Sequence, residues 1–114
     1  MLKQATRPIV STPDEIGALV RRVRDTLNAE EIWLFGSRAR GDHREDSDWD
    51  LLAVLPDDSP AELMSPLAAW NITRDHPGPI TLLSTSRSEL ESVWGLPNTL
   101  GYDLAREGLR LRVG

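Results

Sequence analysis

The chain has no cysteine, and its 114 residues hold only one lysine, one tyrosine and one phenylalanine. Without cysteine there is no disulfide framework and no thiolate metal site, which fits a reducing cytoplasm as the expected location. No run of about eighteen apolar residues exists to span a bilayer, and no signal-peptide apolar core follows Lys3 and Arg7. Basic charge is also short: 13 Lys and Arg stand against 18 Asp and Glu, for a net charge of −5 and a pI near 4.9. Broad, salt-driven binding to DNA or RNA needs a basic face that displaces counterions, so the charge argues against that class of function, local contacts aside. Internal repeats and low-complexity tracts are absent as well.

A chain of this length builds one core, so the expected organisation is a single domain over residues 1–114, with residues 1–11 as a loose lead-in. No second domain is left to shape a pocket for a small acceptor. Thr12 as N-cap, Pro13 at the first helical position and Glu15 closing a capping box predict a helix over residues 12–28, with Ile16, Leu19, Val20, Val23 and Leu27 on one stripe. Ser59 and Glu62 offer a second capping box into a helix carrying Leu63, Leu67 and Trp70. Pro66 either kinks that helix or restarts it behind Ser65. The turn cluster at residues 76–79 leads to a strand at 80–84, and Ser86 with Glu89 opens a further helix with Leu90, Val93 and Trp94. A last helix from about Asn98 stops at Gly108, before Leu109, Leu111 and Val113 alternate with Arg110 and Arg112 as a half-buried strand. Trp33, Trp70 and Trp94 fall at core-type positions.

Chemistry concentrates between residues 32 and 55. Four consecutive apolar residues, Ile32 to Phe35, suit a strand buried on both faces, and they run into Gly36 and Ser37, where a tight turn opens a helix. The unpaired N–H groups and positive dipole end of a helix start favour a phosphate; Gly36 permits close approach and the Ser37 hydroxyl adds a donor. After ten intervening residues, Asp48 and Asp50 stand two apart at the head of an apolar run ending at Leu55. In a strand both carboxylates project to one face, where they repel each other unless a hard divalent cation, best magnesium, takes oxygens from both and holds substrate phosphates. Arg38 either neutralises a triphosphate or pairs with a loop acid, Asp42, Glu45 or Asp46; Arg40 reads as structural. His43 reads as an exposed loop residue, and Trp49, facing away from the two aspartates, as packing.

Gly-Ser, ten intervening residues, Asp-x-Asp and an apolar strand together resemble the signature of the DNA polymerase β-like nucleotidyltransferase superfamily. The wording of residues 35–41 and 47–51 resembles its minimal prokaryotic members, and the likeness covers nearly the whole chain, most closely residues 32–55. The resemblance implies an α/β fold with a small mixed β-sheet of three or four strands and helices mainly on one side. It implies magnesium-dependent transfer of a nucleoside monophosphate, AMP from ATP, with pyrophosphate leaving. Asp48 and Asp50 would be the catalytic residues and magnesium ligands, and Gly36, Ser37 and Arg38 the nucleotide-binding ones. Family members this small accompany a HEPN-type toxin as its antitoxin and can modify it with AMP, so a protein partner offering a hydroxyl is implied; a homo-oligomer stays open.

One position departs from the pattern. The family's third carboxylate, on the third strand, falls at Thr81, a poor metal ligand that cannot accept a proton at neutral pH. Asp57, Asp58 and Asp75 are the acids available to replace it. This departure supports an alternative from another class: a non-catalytic antitoxin or nucleotide-binding module that acts by binding its partner.

Overall fold

The computed structural model describes residues 7–112. Five strands, β1 (Ile9–Ser11), β2 (Glu31–Phe35), β3 (Trp49–Leu55), β4 (Ile80–Ser86) and β5 (Leu109–Arg112), form one sheet in the order β1-β5-β2-β3-β4. The sheet is mixed: β2 runs antiparallel to both β3 and β5, while β1 with β5 and β3 with β4 are parallel pairs. Five helices accompany it: α1 (Gly17–Leu27), α2 (Ser37–Arg40), α3 (Pro66–Thr73), α4 (Arg87–Val93) and α5 (Leu100–Glu107).

The central strands are apolar on both faces because both faces are covered. Ile32 and Leu34 of β2 and Leu51, Ala53 and Leu55 of β3 pack with the α1 stripe of Leu19, Val20, Val23 and Leu27, and with Ile72 of α3. The alternating set, Trp33, Leu52 and Val54, packs on Leu90 of α4 and Leu104 of α5. Each fully buried side chain of this kind is worth about 1.5–3 kcal/mol, so β2 and β3 carry much of the stability. The expected α/β class and mixed sheet are what the chain forms, with five strands where three or four were expected. The α1 face holds the larger cluster, and the second apolar face of β2 and β3 brings α4 and α5 to the other side.

Local signals fared unevenly. Within the expected loose lead-in, residues 9–11 form β1; residues 1–6 lie outside the described residues. The Thr12 hydroxyl donates to the Arg112 carbonyl at 2.8 Å, fastening the end of β1 to β5, so the expected capping box does not form. A 3-10 turn over Asp14–Ile16 stands in its place, and α1 begins at Gly17. Pro66 restarts the helix: Ser65 caps α3, its hydroxyl accepting from Ala68 N at 3.2 Å, and the Ser59 box gives way to a 3-10 turn at Ala61–Met64. The restart turns Ala68, Ala69 and Ile72 inward and leaves Leu67 and Trp70 exposed, against their expected core placement. Ser86 caps α4 as expected, while α5 starts slightly late, capped by Thr99. The expected last strand is present to Arg112; Val113 lies outside the described residues.

Candidate active site

The register of β2 on β3 places Phe35 opposite Asp50, so the chain leaves β2 through Gly36 and Ser37 at the sheet end where Asp48 leads into β3. Gly36 has φ 73° and ψ −158°, a backbone state open essentially to glycine alone. A Cβ at this position would run into the Asp50 carboxylate, whose Cγ is 3.1 Å from where that atom would stand. Backbone and carboxylate are thus in direct apposition, the arrangement needed if a phosphate is to touch both. Ser37 opens α2, a single turn closed by Gly41 N donating to Ser37 O at 2.9 Å.

Asp48 is exposed and Asp50 half-buried, both at the end of the sheet. Burial pushes the Asp50 carboxyl above the usual range and the Asp48 charge adds to the rise; a Thr81 hydrogen bond and the Arg40 charge offset part of it. That pattern is what burial and a neighbouring carboxylate together produce. They would fit magnesium, which when bound would neutralise triphosphate charge and polarise the reacting phosphoryl group. The third position is occupied as the sequence implies: Thr81 of β4 lies directly across from Asp50, and its hydroxyl donates to Asp48 Oδ2 at 3.3 Å. Asp57 and Asp58 follow the far end of β3, and Asp57 there accepts the Ser88 N–H at 2.9 Å. Seven residues of strand, about 23 Å, separate them from Asp48, too far to serve as a third ligand. Among the described residues no group of three or more His, Cys, Asp or Glu gathers to hold a metal.

The arginines divide. Arg38 stacks on the Trp49 ring, 4.2 Å from its centroid, and Nη2 donates to the carbonyls of Glu45 (3.0 Å) and Ser47 (3.2 Å). It grips carbonyls of the loop before β3, a third arrangement beside the triphosphate and loop-acid pairings that its position suggests. Its Nε is buried without a partner among the described residues. Arg40 is paired with Asp42 (3.1 Å) and Glu107 (3.3 Å), the structural role read from sequence, yet its charge also reaches Asp50. Nothing local could have signalled this, because Glu107 lies 67 residues away. Trp49 is buried among the α1-side cluster, and His43 is exposed in the loop.

The family model for the nucleotidyltransferase domain matches residues 16–102. The chain belongs to that family, as one of its minimal members. Among solved structures, one titled as a toxin–antitoxin crystal structure with AMP-PNP superposes with a TM-score of 0.58 at 17% identity, covering 90% of this chain and 75% of that one. A second, from Sulfolobus solfataricus and provisionally assigned as a nucleotidyltransferase, gives a TM-score of 0.44 at 22% identity, over 76% of this chain and 73% of the other. Among curated proteins none matches. At 17% identity the first likeness speaks for the fold alone. No helix among the described residues is long and apolar enough to cross a membrane.

Proposed function

We propose that the protein is a magnesium-dependent nucleotidyltransferase that moves AMP from ATP onto a hydroxyl of a partner protein, as the antitoxin of a toxin–antitoxin pair with a HEPN-type toxin. The observation that carries the transferase reading is the apposition of the Gly36 backbone and the Asp50 carboxylate, with Asp48 beside it. Phosphates lying on the Gly36-Ser37 turn would meet the two carboxylates through magnesium. In the reaction the acceptor oxygen bonds to the α-phosphorus and the bond from that phosphorus to the bridging oxygen breaks. Pyrophosphate leaves with the bonding pair, and the acceptor proton passes to water. ATP as donor and a protein partner draw support from the motif resemblance and from a neighbour described as a toxin–antitoxin with AMP-PNP. Arg38 serves by holding the loop that delivers Asp48, through Glu45 and Ser47.

Incubation with labelled ATP and magnesium, with and without extract from cells carrying the partner, tests this. Label should appear on a protein and vanish in the Asp48→Asn/Asp50→Asn double variant, which should also lose magnesium-dependent ATP binding in titration calorimetry. Equal binding heats in EDTA and in magnesium would remove the metal site from the proposal.

The second reading is a module that binds its partner without modifying it, and Thr81 opposite Asp50 is the observation that favours it. In two-metal nucleotidyl transfer the metals stabilise both attacking and leaving oxygens, so a lost ligand would slow turnover more than binding. An unmodified partner that is still inhibited would decide for this reading.

A further inference from the structure

β4 ends the sheet, and no other strand among the described residues pairs with its outer side. Its sequence, Ile-Thr-Leu-Leu-Ser-Thr-Ser, carries no charge and no proline. Edge strands normally protect themselves with just such residues, or with bulges or a covering element, because their free N–H and C=O groups are a template for another strand. Here Leu83 at the middle of β4 is instead 44% exposed.

The surface around that edge has the shape of a strand's seat. A groove of about 360 Å³ draws its lining from both faces of β4: Leu83, Leu90 and Val93 from the α4 side, Leu82, Met64 and Ala69 from the α3 side. An extended segment added to an edge sends alternate side chains to opposite faces, so a groove lined from both faces matches a strand better than a helix or a flat ligand. The lining of the groove begins one residue from the candidate site along β4. Leu82 and Leu83 directly follow Thr81, and Thr81 faces Asp50 across the β3–β4 pair. Alternation puts Leu83 on the same face as Thr81 and the two aspartates.

Charge around the groove has one sign at both ends. Asp48 and Asp50 stand at the Thr81 end; Glu89 lines the other end, with Glu62 next to the Met64 wall and Asp57 at the start of α4. Arg87, the basic residue nearby, is engaged by Glu30 and Glu31.

We infer that the outer edge of β4 takes up an extended segment of the partner protein as a sixth strand, with an apolar side chain opposite Leu83, a hydroxyl-bearing side chain opposite Thr81 and basic residues flanking both. Such a segment would present its hydroxyl to the site through main-chain pairing, with register set by the Leu83 seat. From the added strand to β3 is two strand spacings, about 10 Å, a gap that tyrosine bridges best among the hydroxyl side chains. The inference rests on the transferase reading for the hydroxyl, but not for the groove.

The probe is the peptide acetyl-Lys-Val-Thr-Leu-Thr-Tyr-Lys-Lys-amide, whose Leu and Tyr are two apart, together with a twin carrying Phe for Tyr. NMR of the labelled protein with the Phe peptide should shift amides of residues 80–86. Leu83→Lys should weaken binding at least tenfold, while Leu67→Lys, an exposed change on α3, should leave it unchanged. Of two alternating N-methylation registers in the peptide, one should abolish binding and the other spare it. Unmoved amides at millimolar peptide, or equal binding by Leu83→Lys, would overturn the inference. So would concentration-dependent shifts of β4 without peptide, since a second copy would then cover the edge. With ATP and magnesium the Tyr peptide should gain an AMP adduct. Binding on β4 without an adduct would leave the groove standing and count against the transferase reading. Undiminished labelling of extract protein by Leu83→Lys would keep the transferase and discard the groove.

Discussion

Where β2 begins, Glu31 is 7% exposed, its carboxylate meeting Arg87 at 3.2 Å and Arg110 at 3.3 Å while also accepting the Trp33 indole N–H at 3.0 Å. Where β2 ends, about 13 Å away on the same sheet face, Asp50 is half-buried beside Asp48, which accepts the Thr81 hydroxyl, and the Arg40 charge offsets part of the rise at Asp50. Both places hold carboxylates against the core. At Glu31 every oxygen is matched from within the chain, which is what a buried charge needs in order to be structural. At Asp50 burial is the leading influence and the next is another negative charge. Asp50 is thus held with its carboxyl raised, by burial first and the Asp48 charge second, and only partly compensated from within the chain. That contrast separates a fold-holding cluster from one that the proposed function assigns to a cation.

Breaking the matched end should produce the largest effect. Glu31→Ala leaves the Arg110 guanidinium and the Trp33 indole N–H without their acceptor and Arg87 with Glu30 alone. The cost should be about 2–3 kcal/mol, below the fully buried range because the arginines keep 23% and 33% of their side-chain surface exposed. A Tm lower by on the order of 10 °C in a thermal melt would agree. Magnesium-dependent nucleotide binding, measured below the new Tm, should survive. Gly36→Ala acts at the other end. The backbone strain and the collision with Asp50 should cost about 1–3 kcal/mol, and nucleotide binding should be lost even where the variant is folded. Retained ATP binding by folded Gly36→Ala would mean that the turn does not contact phosphate.

The two ends also differ in how readable they were. The geometry of the candidate site was legible in sequence because its parts are local: Gly36-Ser37 leaves one strand, Asp48 and Asp50 enter the next, and the two-residue period puts both carboxylates on one face. Alignment of the apolar pattern even placed Thr81, which the β3–β4 register sets opposite Asp50. The Glu31 cluster was invisible, since its members come from two strands and a helix start separated by up to 79 positions, a relation no local period encodes. The same limit hid β1, three residues whose reason to be a strand is their partner β5 at the other end of the chain. Capping boxes misled at Thr12 and Ser59 because a hydroxyl near a helix start has other acceptors, here the Arg112 carbonyl, and a proline can open a 3-10 turn instead.

Thr81→Asp sharpens the comparison by making the unmatched end worse without metal and better with it. A third carboxylate opposite Asp50 should raise or create transferase activity, by about tenfold or more, equivalent to roughly 1.4 kcal/mol of barrier. Labelled ATP in magnesium gives the readout, and in EDTA the same variant should melt below the parent. A folded, nucleotide-binding variant with unchanged turnover would show that Thr81 is not the missing ligand's place.

The smallest effect is the most diagnostic. A carboxyl whose folded value is raised binds its proton more tightly folded than unfolded, so its contribution to stability is present below about 3.8, its ordinary value, and is lost as pH rises through the raised native value. At neutral pH the charged Asp50 therefore weighs against folding in the metal-free protein. Asp50→Asn removes that weight and should raise Tm in EDTA at pH 7 by about 1–3 °C, a shift that should shrink as pH falls toward 4. Magnesium with ATP should close the gap from the other side, stabilising the parent and leaving Asp50→Asn unmoved. A carboxylate placed to hold the fold would behave as Glu31 should, with Tm falling on substitution. If Asp50→Asn melts below the parent in EDTA at pH 7, Asp50 belongs with Glu31 and the two ends of the sheet do not differ in kind.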